Sequence, residues 1–389
     1  MDSLANHGCL IVDLSNGDTS NADANKMSKM WDTATSFFDK VLNDESAANS
    51  IPPMQQAEGV GSSHAVVGFA SFKDGDNQFL ETRLRRADGA LLPEETAGVV
   101  GDDGAQSLAD AFEVMADVGK DVVRIATAAA SVVEAAFVPA AMAAAPSSVV
   151  VSPPEEGGAS IAGLSFEDAT VSGLVEEDDE EGGDSDDPSE EDARRADAMA
   201  SAAAARLADE IMDDGRPLRG DDIPHNEGPV SMSPHRLCRY SSKGKRSAET
   251  FGAHTDTSFV TIVPAAPVSG LEVFDEDALQ WYRPELNARK HAKRMEEWCP
   301  WHCRYLVVVP GELLQLTSRN NIPAAVHRVV TTGETPRLSA PVLLRARPGT
   351  KMDVERYMGS LEKADRLLLE SHEMRMEDIH DALQPSPKQ

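Results

Sequence analysis

Positive charge is what this 389-residue chain has least of: 36 Lys and Arg stand against 66 Asp and Glu, a formal net charge of −30. A nucleic-acid binder needs a basic surface, and an anionic membrane attracts one, so the composition excludes both as partners of the chain as a whole. Cysteine is scarce too. Four residues are too few to build a disulfide-stapled secreted fold. Met1-Asp2-Ser3 opens no basic-then-apolar targeting segment. Long apolar runs are missing: the most apolar stretch, Ala126 to Ala145, is mostly alanine and is interrupted by Glu134 and Pro139. It reads as a buried helix end rather than a membrane span. There is no internal repeat. What remains is a hydrophobic content of 41%, enough for a sizeable core. The expectation is a soluble, reduced, cytoplasmic protein.

The acidity is unevenly placed. Residues 1–143 carry a net −13, residues 144–232 a net −19 and residues 233–389 a net +2. Within the middle segment, Glu176 to Asp192 holds twelve carboxylates and no base. Such a run repels itself and buries too little apolar area to offset chain entropy. Four regions are expected: 1–143 helical, 144–232 an acidic, mostly disordered insert, 233–350 a β-rich core, and 351–389 a C-terminal helix and tail. Ala193–Asp213 is rich enough in alanine for a helix inside the insert.

Cys9–Asp13 reads as a strand before the turn residues Ser15-Asn16-Gly17-Asp18. Asn21 can cap a helix in which Met27, Met30, Trp31, Ala34, Phe37, Phe38 and Val41 fall at helical spacing. Asp103 with Gln106 resembles a capping box opening a long helix, with Leu108, Phe112, Met115, Val122, Ile125, Ala129 and Val133 on one stripe. After residue 232, short β-like runs follow one another: Ser258–Pro264, Gly270–Phe274, Gln280–Tyr282, Tyr305–Val309, Leu313–Thr317, Val326–Val330 and Leu338–Arg345. Many short strands imply a sandwich, jelly roll or barrel. A last helix is expected over Asp353–His372.

The chemistry gathers in Phe251-Gly252-Ala253-His254-Thr255-Asp256-Thr257. On a strand, residues two apart share a face, so His254 and Asp256 can bind one ion together. His327, in the run Ala325–Val330, offers a third ligand. Two imidazoles and one carboxylate on one face of an octahedron leave three positions open, the arrangement of non-haem Fe(II) oxygenases. Thr331–Pro336 reads as a turn, so the runs around it are expected to form a hairpin. Arg337 and Ser339 then share a face, and a guanidinium fork with a hydroxyl suits the carboxylate of a small diacid.

The ordered set His254-Thr255-Asp256, His327-Arg328-Val329-Val330 and Arg337-Leu338-Ser339 resembles the 2-oxoglutarate and Fe(II)-dependent dioxygenases, in their isopenicillin N synthase-like branch. Gly270–Phe274 and Pro310–Leu313 lie where that family has its second strand pair and the turn before its third ligand. The resemblance covers about 233–350 well, and 1–143 more loosely. It implies a mainly β fold with flanking helices: a double-stranded β-helix, or cupin-like jelly roll. It implies Fe(II) on His254, Asp256 and His327, with 2-oxoglutarate and O2 as co-substrates. Arg337 and Ser339 would hold the distal carboxylate of 2-oxoglutarate. The family's Asn-Tyr-Tyr-Pro run corresponds to Cys238-Arg239-Tyr240-Ser241, which keeps a phenol in Tyr240 as a co-substrate contact but lacks the Asn and Pro. Asp256 to His327 is also long for the family, the excess falling in Asn287–Arg304. The family's first strand, ahead of a run like Leu10–Asp13, is missing or reduced, so a late start of the chain is expected.

The implied activity is hydroxylation or desaturation of a small organic substrate, with release of succinate and CO2. The alternatives are an Fe(II) oxidase of the same fold that uses no 2-oxoglutarate, and an inactive jelly roll serving as a binding or scaffold protein. Three further groups invite a reading. His291, Cys299, His302 and Cys303 could bind zinc, although Trp298, Pro300 and Trp301 suggest a packed lid. Arg83, Arg85 and Arg86 could face the mouth of the site or form a solvated basic patch. Phe259 and Leu344 could line the pocket or belong to the core.

Overall fold

The computed structural model describes residues 4, 7–15, 21–57, 65–72, 77–137, 194, 198, 207–217, 228–241, 248–292, 299–318, 321–331, 333–348, 351–353 and 373–375. In chain order the first elements are β1 (Leu10–Asp13), α1 (Ala22–Asn43), α2 (Glu45–Ser50), β2 (Gln55–Gln56), β3 (Val66–Phe72), β4 (Asn77–Leu84), β5 (Leu91–Leu92), α3 (Glu95–Val100) and α4 (Asp102–Phe137). There follow β6 (His235–Tyr240), β7 (Ala248–His254), β8 (Val260–Pro264), β9 (Leu271–Asp275), β10 (Gln280–Tyr282), α5 (Pro284–Ala292), β11 (Tyr305–Pro310) and α6 (Glu312–Thr317). The last strands are β12 (His327–Thr331), β13 (Arg337–Ser339), β14 (Val342–Leu344), β15 (Lys351–Asp353) and β16 (Glu373–Arg375).

The β-strands make two facing sheets. The larger has the order β1-β11-β8-β14-β6-β4-β3-β2, with β13 on β6 and β5 on β4; the smaller is β10-β9-β12-β7. Side chains from both meet between them: Val263, Val307 and Val309 pack with Leu271 and Val273, and Phe79, Cys238 and Tyr240 pack with Val329. This is the jelly-roll core expected from the sequence, with helices on the outer face of the large sheet.

Helix α1 forms where its pattern requires. Every one of the seven apolar positions from Met27 to Val41 is buried, and Asn21 sits at the N-cap without a side-chain capping bond. Each such fully buried Met or Phe contributes about 1.5–3 kcal/mol by leaving water. Helix α4 packs Leu108, Phe112, Met115 and Val122 onto the same core. It starts at Asp102, so Asp103 lies inside the first turn, where an acid favours the helix dipole. Gln106 donates forward to Asp110 instead of closing a capping box. Ile125 departs from its stripe and faces solvent, and the Ala129 and Val133 side chains lie outside what is described. A Cβ on Gly119 would sit 2.4 Å from Leu344 Cδ1 and 2.8 Å from Ile262 Cδ1, so glycine lets α4 lie directly on β8 and β14. Phe259 and Leu344, fully buried in this layer, are core residues.

Three expectations need correction. Leu313–Thr317 is not a strand but helix α6. Its apolar run is too short for its periodicity to separate strand from helix. The runs on either side of Thr331–Pro336 do not form a hairpin. Both neighbours of β12 in the small sheet are taken, by β7 and β9, so β13 crosses over to pair with β6 in the large sheet. The expected insert of 144–232 ends early: Met212, Asp213, Val230 and Ser231 are all buried in the domain. Glu176–Asp192 and Val354–His372 fall outside the described residues, while Lys351–Asp353 pairs with Glu373–Arg375 as a two-stranded sheet. Among the described residues, no helix is long and apolar enough to cross a membrane.

Candidate metal centre

Strands β7 and β12 lie side by side, with His254 opposite His327 and the register shifting just beyond that pair. The two rings stand 4.3 Å apart, centroid to centroid. Asp256 follows the end of β7 and turns back toward both. His254 Nε2 lies 3.6 Å from Asp256 Oδ1, and His327 Nε2 lies 3.4 Å from Asp256 Oδ2. One ligand atom from each residue falls within 4.8 Å of the others. Among the described residues this is the one His/Cys/Asp/Glu group so arranged.

The surroundings fix the orientation of the rings. His254 Nδ1 donates to Gly252 O at 2.9 Å, and His327 Nδ1 donates to Ala325 O at 3.1 Å. With Nδ1 committed to a carbonyl, each ring turns Nε2 inward, and in the neutral ring that nitrogen is the acceptor a metal requires. Thr261 Oγ1 donates to Asp256 Oδ2 at 2.6 Å, and the Glu312 amide donates to the Asp256 carbonyl. Burial alone would raise the Asp256 carboxyl, but the charges of His327 and His254 and the Thr261 hydrogen bond hold it well below the usual carboxylate range. Burial pushes His327 down despite Asp256. At His254 burial is outweighed by the bond and charge of Asp256, and the ring is raised. Burial also raises Glu312, which accepts from Thr255 Oγ1 at 2.6 Å.

A string of rings leads from this cluster to the second half of the site. His254 packs on Phe251 at 4.7 Å, Phe251 on Phe79 at 6.2 Å, and Phe79 on Tyr240 at 5.6 Å. Tyr240 is the strand partner of Arg337, whose guanidinium stands 6.0 Å from the ring centroid. Ser339 is on the same face of β13, opposite Cys238. Burial raises both the Tyr240 hydroxyl and the Cys238 thiol, the thiol to about 11.

Arg337 is fully buried, yet its Nε and Nη1 have no hydrogen-bond partner. Leaving a charged donor unsatisfied in the interior is costly. The remaining nitrogen, Nη2, is held by Glu285 Oε1 at 2.9 Å. Glu285 also accepts the backbone N–H groups of Ala266, Gly270 and Leu271. A Cβ on Gly270 would meet Arg337 Cδ at 2.6 Å, so glycine makes room for the arginine stem.

The structure thus brings together His254, Asp256 and His327, and separately Arg337, Ser339 and Tyr240. Sequence reasoning missed Thr261, Glu312 and Glu285. The only signal for Glu285 was an acid in the first turn of a helix, which is ordinary. The other candidates do not converge. His291 bonds the Tyr305 hydroxyl, His302 packs edge-on against Trp31 and Trp301, and Cys303 is buried. Arg83 and Arg86 are buried in ion pairs with Glu81 and Asp213, and only Arg85 lies on the surface. They form neither a mouth nor one basic patch.

Residues 232–346, which contain all of these site residues except Phe79, match the model of the 2OG-Fe(II) oxygenase superfamily. No curated protein matches the chain in sequence. In fold it is similar to a 2OG-Fe(II) oxygenase family protein from Caulobacter crescentus, at 15% identity and a TM-score of 0.50 over 98% of this chain and 91% of that one. It is also similar to Neurospora crassa T7H in complex with alpha-KG and 5-formyluracil, at 13% identity and a TM-score of 0.50 over 97% of this chain and 85% of that one. By that match residues 232–346 are a 2OG-Fe(II) oxygenase region, and the chain is a dioxygenase that works with Fe(II), 2-oxoglutarate and O2.

Proposed function

We propose that His254 and His327, through Nε2, and Asp256, through its carboxylate, hold the Fe(II), and that Arg337 with Ser339 holds the distal carboxylate of 2-oxoglutarate. The observation that carries this reading is the inward convergence of the three ligand groups, with both imidazoles fixed by backbone carbonyls. The two unsatisfied N–H groups of Arg337 support the second half. Fe(II) bound there supplies the O2-activating redox chemistry in which 2-oxoglutarate yields succinate and CO2 while a small organic substrate is hydroxylated or desaturated.

The side chains divide the remaining work. Thr261 restrains one Asp256 oxygen, so the carboxylate keeps its orientation when the site fills. Phe79, Phe251 and Val329 wall the interior with apolar surface and keep water from the space between the cluster and Arg337. Glu285 fixes the guanidinium plane, so less rotamer freedom is lost when a carboxylate docks. Tyr240 adds bulk beside the fork and contributes its phenol to the co-substrate pocket.

Anaerobic titration of the Fe(II)-loaded protein with 2-oxoglutarate is expected to develop a metal-to-ligand charge-transfer band. Folded, iron-bound protein that shows no band would sink the proposal. The doubly substituted His254→Ala, Asp256→Ala protein is expected to lose iron and band together. Succinate formed from 2-oxoglutarate during turnover separates this reading from an oxidase that draws all its electrons from its own substrate.

A further inference from the structure

We infer that Arg236, paired with Glu81 beside the candidate metal centre, is the anchor for a carboxylate on the primary substrate. This deepens the metal-centre reading and rests on it. Alternation along β6 puts Arg236, Cys238 and Tyr240 on the inner face of the large sheet. Tyr240 lies at the Arg337 end. Arg236, toward the other end, pairs with Glu81 on one side and donates its backbone N–H to Pro341 O on the other, next to β14, which pairs with β8 at Thr261, the residue that holds Asp256.

The charges around it are unequal. Glu81 is buried and accepts from two arginines at once: Arg83 Nη2 at 2.8 Å on Oε1, and Arg236 Nε and Nη2 at 2.9 and 2.6 Å on Oε2. One carboxylate thus stands between two guanidinium groups. Arg345 adds a third guanidinium to the same cluster; burial first, then the charge of Arg83, push it down to about 9. Arg83 also bonds the backbone carbonyls of Val66, Ser231 and Met232, so its role is structural.

Arg236 differs. Its side chain is 30% exposed, and its Nη1 makes no hydrogen bond. Glu81 holds its other two nitrogens and so orients the fork before any ligand arrives, which lowers the ordering cost of binding. A surplus of positive charge at the edge of a low-dielectric interior favours an anion, and a guanidinium edge prefers a carboxylate. Phe79 and Phe251 supply an apolar wall nearby, which suits an aryl or alkyl body behind that carboxylate.

The test uses the full chain without iron, so that it is read independently of turnover. Calorimetry with phenylacetate and hexanoate, each against its uncharged amide, and with thymine as a neutral heterocycle, measures the selectivity. At least one carboxylate is expected to bind roughly 10- to 100-fold tighter than its amide. Arg236→Gln should abolish that difference without weakening the amide, and Arg236→Lys should restore part of it. Equal affinity for acid and amide, binding of thymine alone, no binding by either acid, or acid binding unmoved in Arg236→Gln would each overturn the inference. The 2-oxoglutarate band serves as the separate control. Its appearance in Arg236→Gln reports a folded interior, and its absence in the unsubstituted protein would count against the metal-centre reading while leaving the calorimetric result standing.

Discussion

Arg86, just past β4, and Arg337, in β13, are both buried arginines paired with a buried acid, and they end in opposite states. Arg86 donates Nη1 and Nη2 to the two oxygens of Asp213 at 2.8 and 2.6 Å, and Nε to Gly228 O. Asp213 in turn accepts the amides of Gly215 and Met232. Arg337 donates only Nη2, to Glu285, and leaves two buried donors empty. A saturated fork is a joint in the fold, and an unsaturated one is free to serve the ligand proposed above. The Arg86 joint ties residues 207–217 to the sheet, whereas the Arg337 guanidinium stands 6.0 Å from the Tyr240 ring with two donors unspent.

The largest effect is expected from breaking the saturated side. Asp213→Ala strands Arg86 and releases two backbone amides, and removing one partner of a buried pair costs about 3–5 kcal/mol. Chemical denaturation should show a loss of that size. Comparable loss in Arg337→Gln would erase the contrast drawn here. That variant removes a charge with two unmet donors and leaves Glu285 held by the N–H groups of Ala266, Gly270 and Leu271, so its loss should be clearly smaller than that of Asp213→Ala. Its 2-oxoglutarate affinity, read from the charge-transfer titration, should fall about 100-fold, the value of a charge-assisted bidentate contact.

How far the sequence carries follows the same division. The grouping of His254, Asp256 and His327 was legible because residue type and strand period are local properties, and α1 was legible because its apolar spacing is unambiguous. Arg337 was legible as a fork but not as a half-occupied one, since Glu285 reaches it from fifty-two positions away in sequence. Arg83, Arg85 and Arg86 read alike in sequence. Which of them is buried depends on Glu81 and Asp213, and Asp213 lies across the whole acidic segment. The hairpin failed because nothing local reports that both neighbours of β12 are already taken.

A smaller effect concerns a buried group on the far side of β6. His235 is fully buried among core residues, with the backbone of Leu108 and Ala340 beside the ring but no well-formed hydrogen bond to either nitrogen. Burial pushes it down to about 4. The unfolded chain takes up a proton near pH 6.5, and the fold refuses it until near pH 4. Stability therefore falls as pH drops through that window and does not respond to this group above it. At pH 5 the penalty is about 2 kcal/mol. His235→Leu should flatten the difference in denaturation midpoint between pH 7.5 and pH 5. An unchanged difference would mean that the proton uptake lies elsewhere.

The smallest effect comes from the middle member of the arginine triplet. Arg85 pairs with Asp88 and Glu94 at the surface, where water screens the attraction and long side chains must be held still for it. Two partners look like twice the support, but both acids are themselves exposed and stay solvated without it. Arg85→Ala should therefore leave the melting temperature and the 2-oxoglutarate titration where they were. Set beside Asp213→Ala, this isolates burial as the variable, since Arg85 and Arg86 are adjacent and both make ion pairs with acids. A large loss of stability in Arg85→Ala would show that the whole loop after β4, and not the Arg86–Asp213 joint within it, fastens residues 207–217 to the sheet.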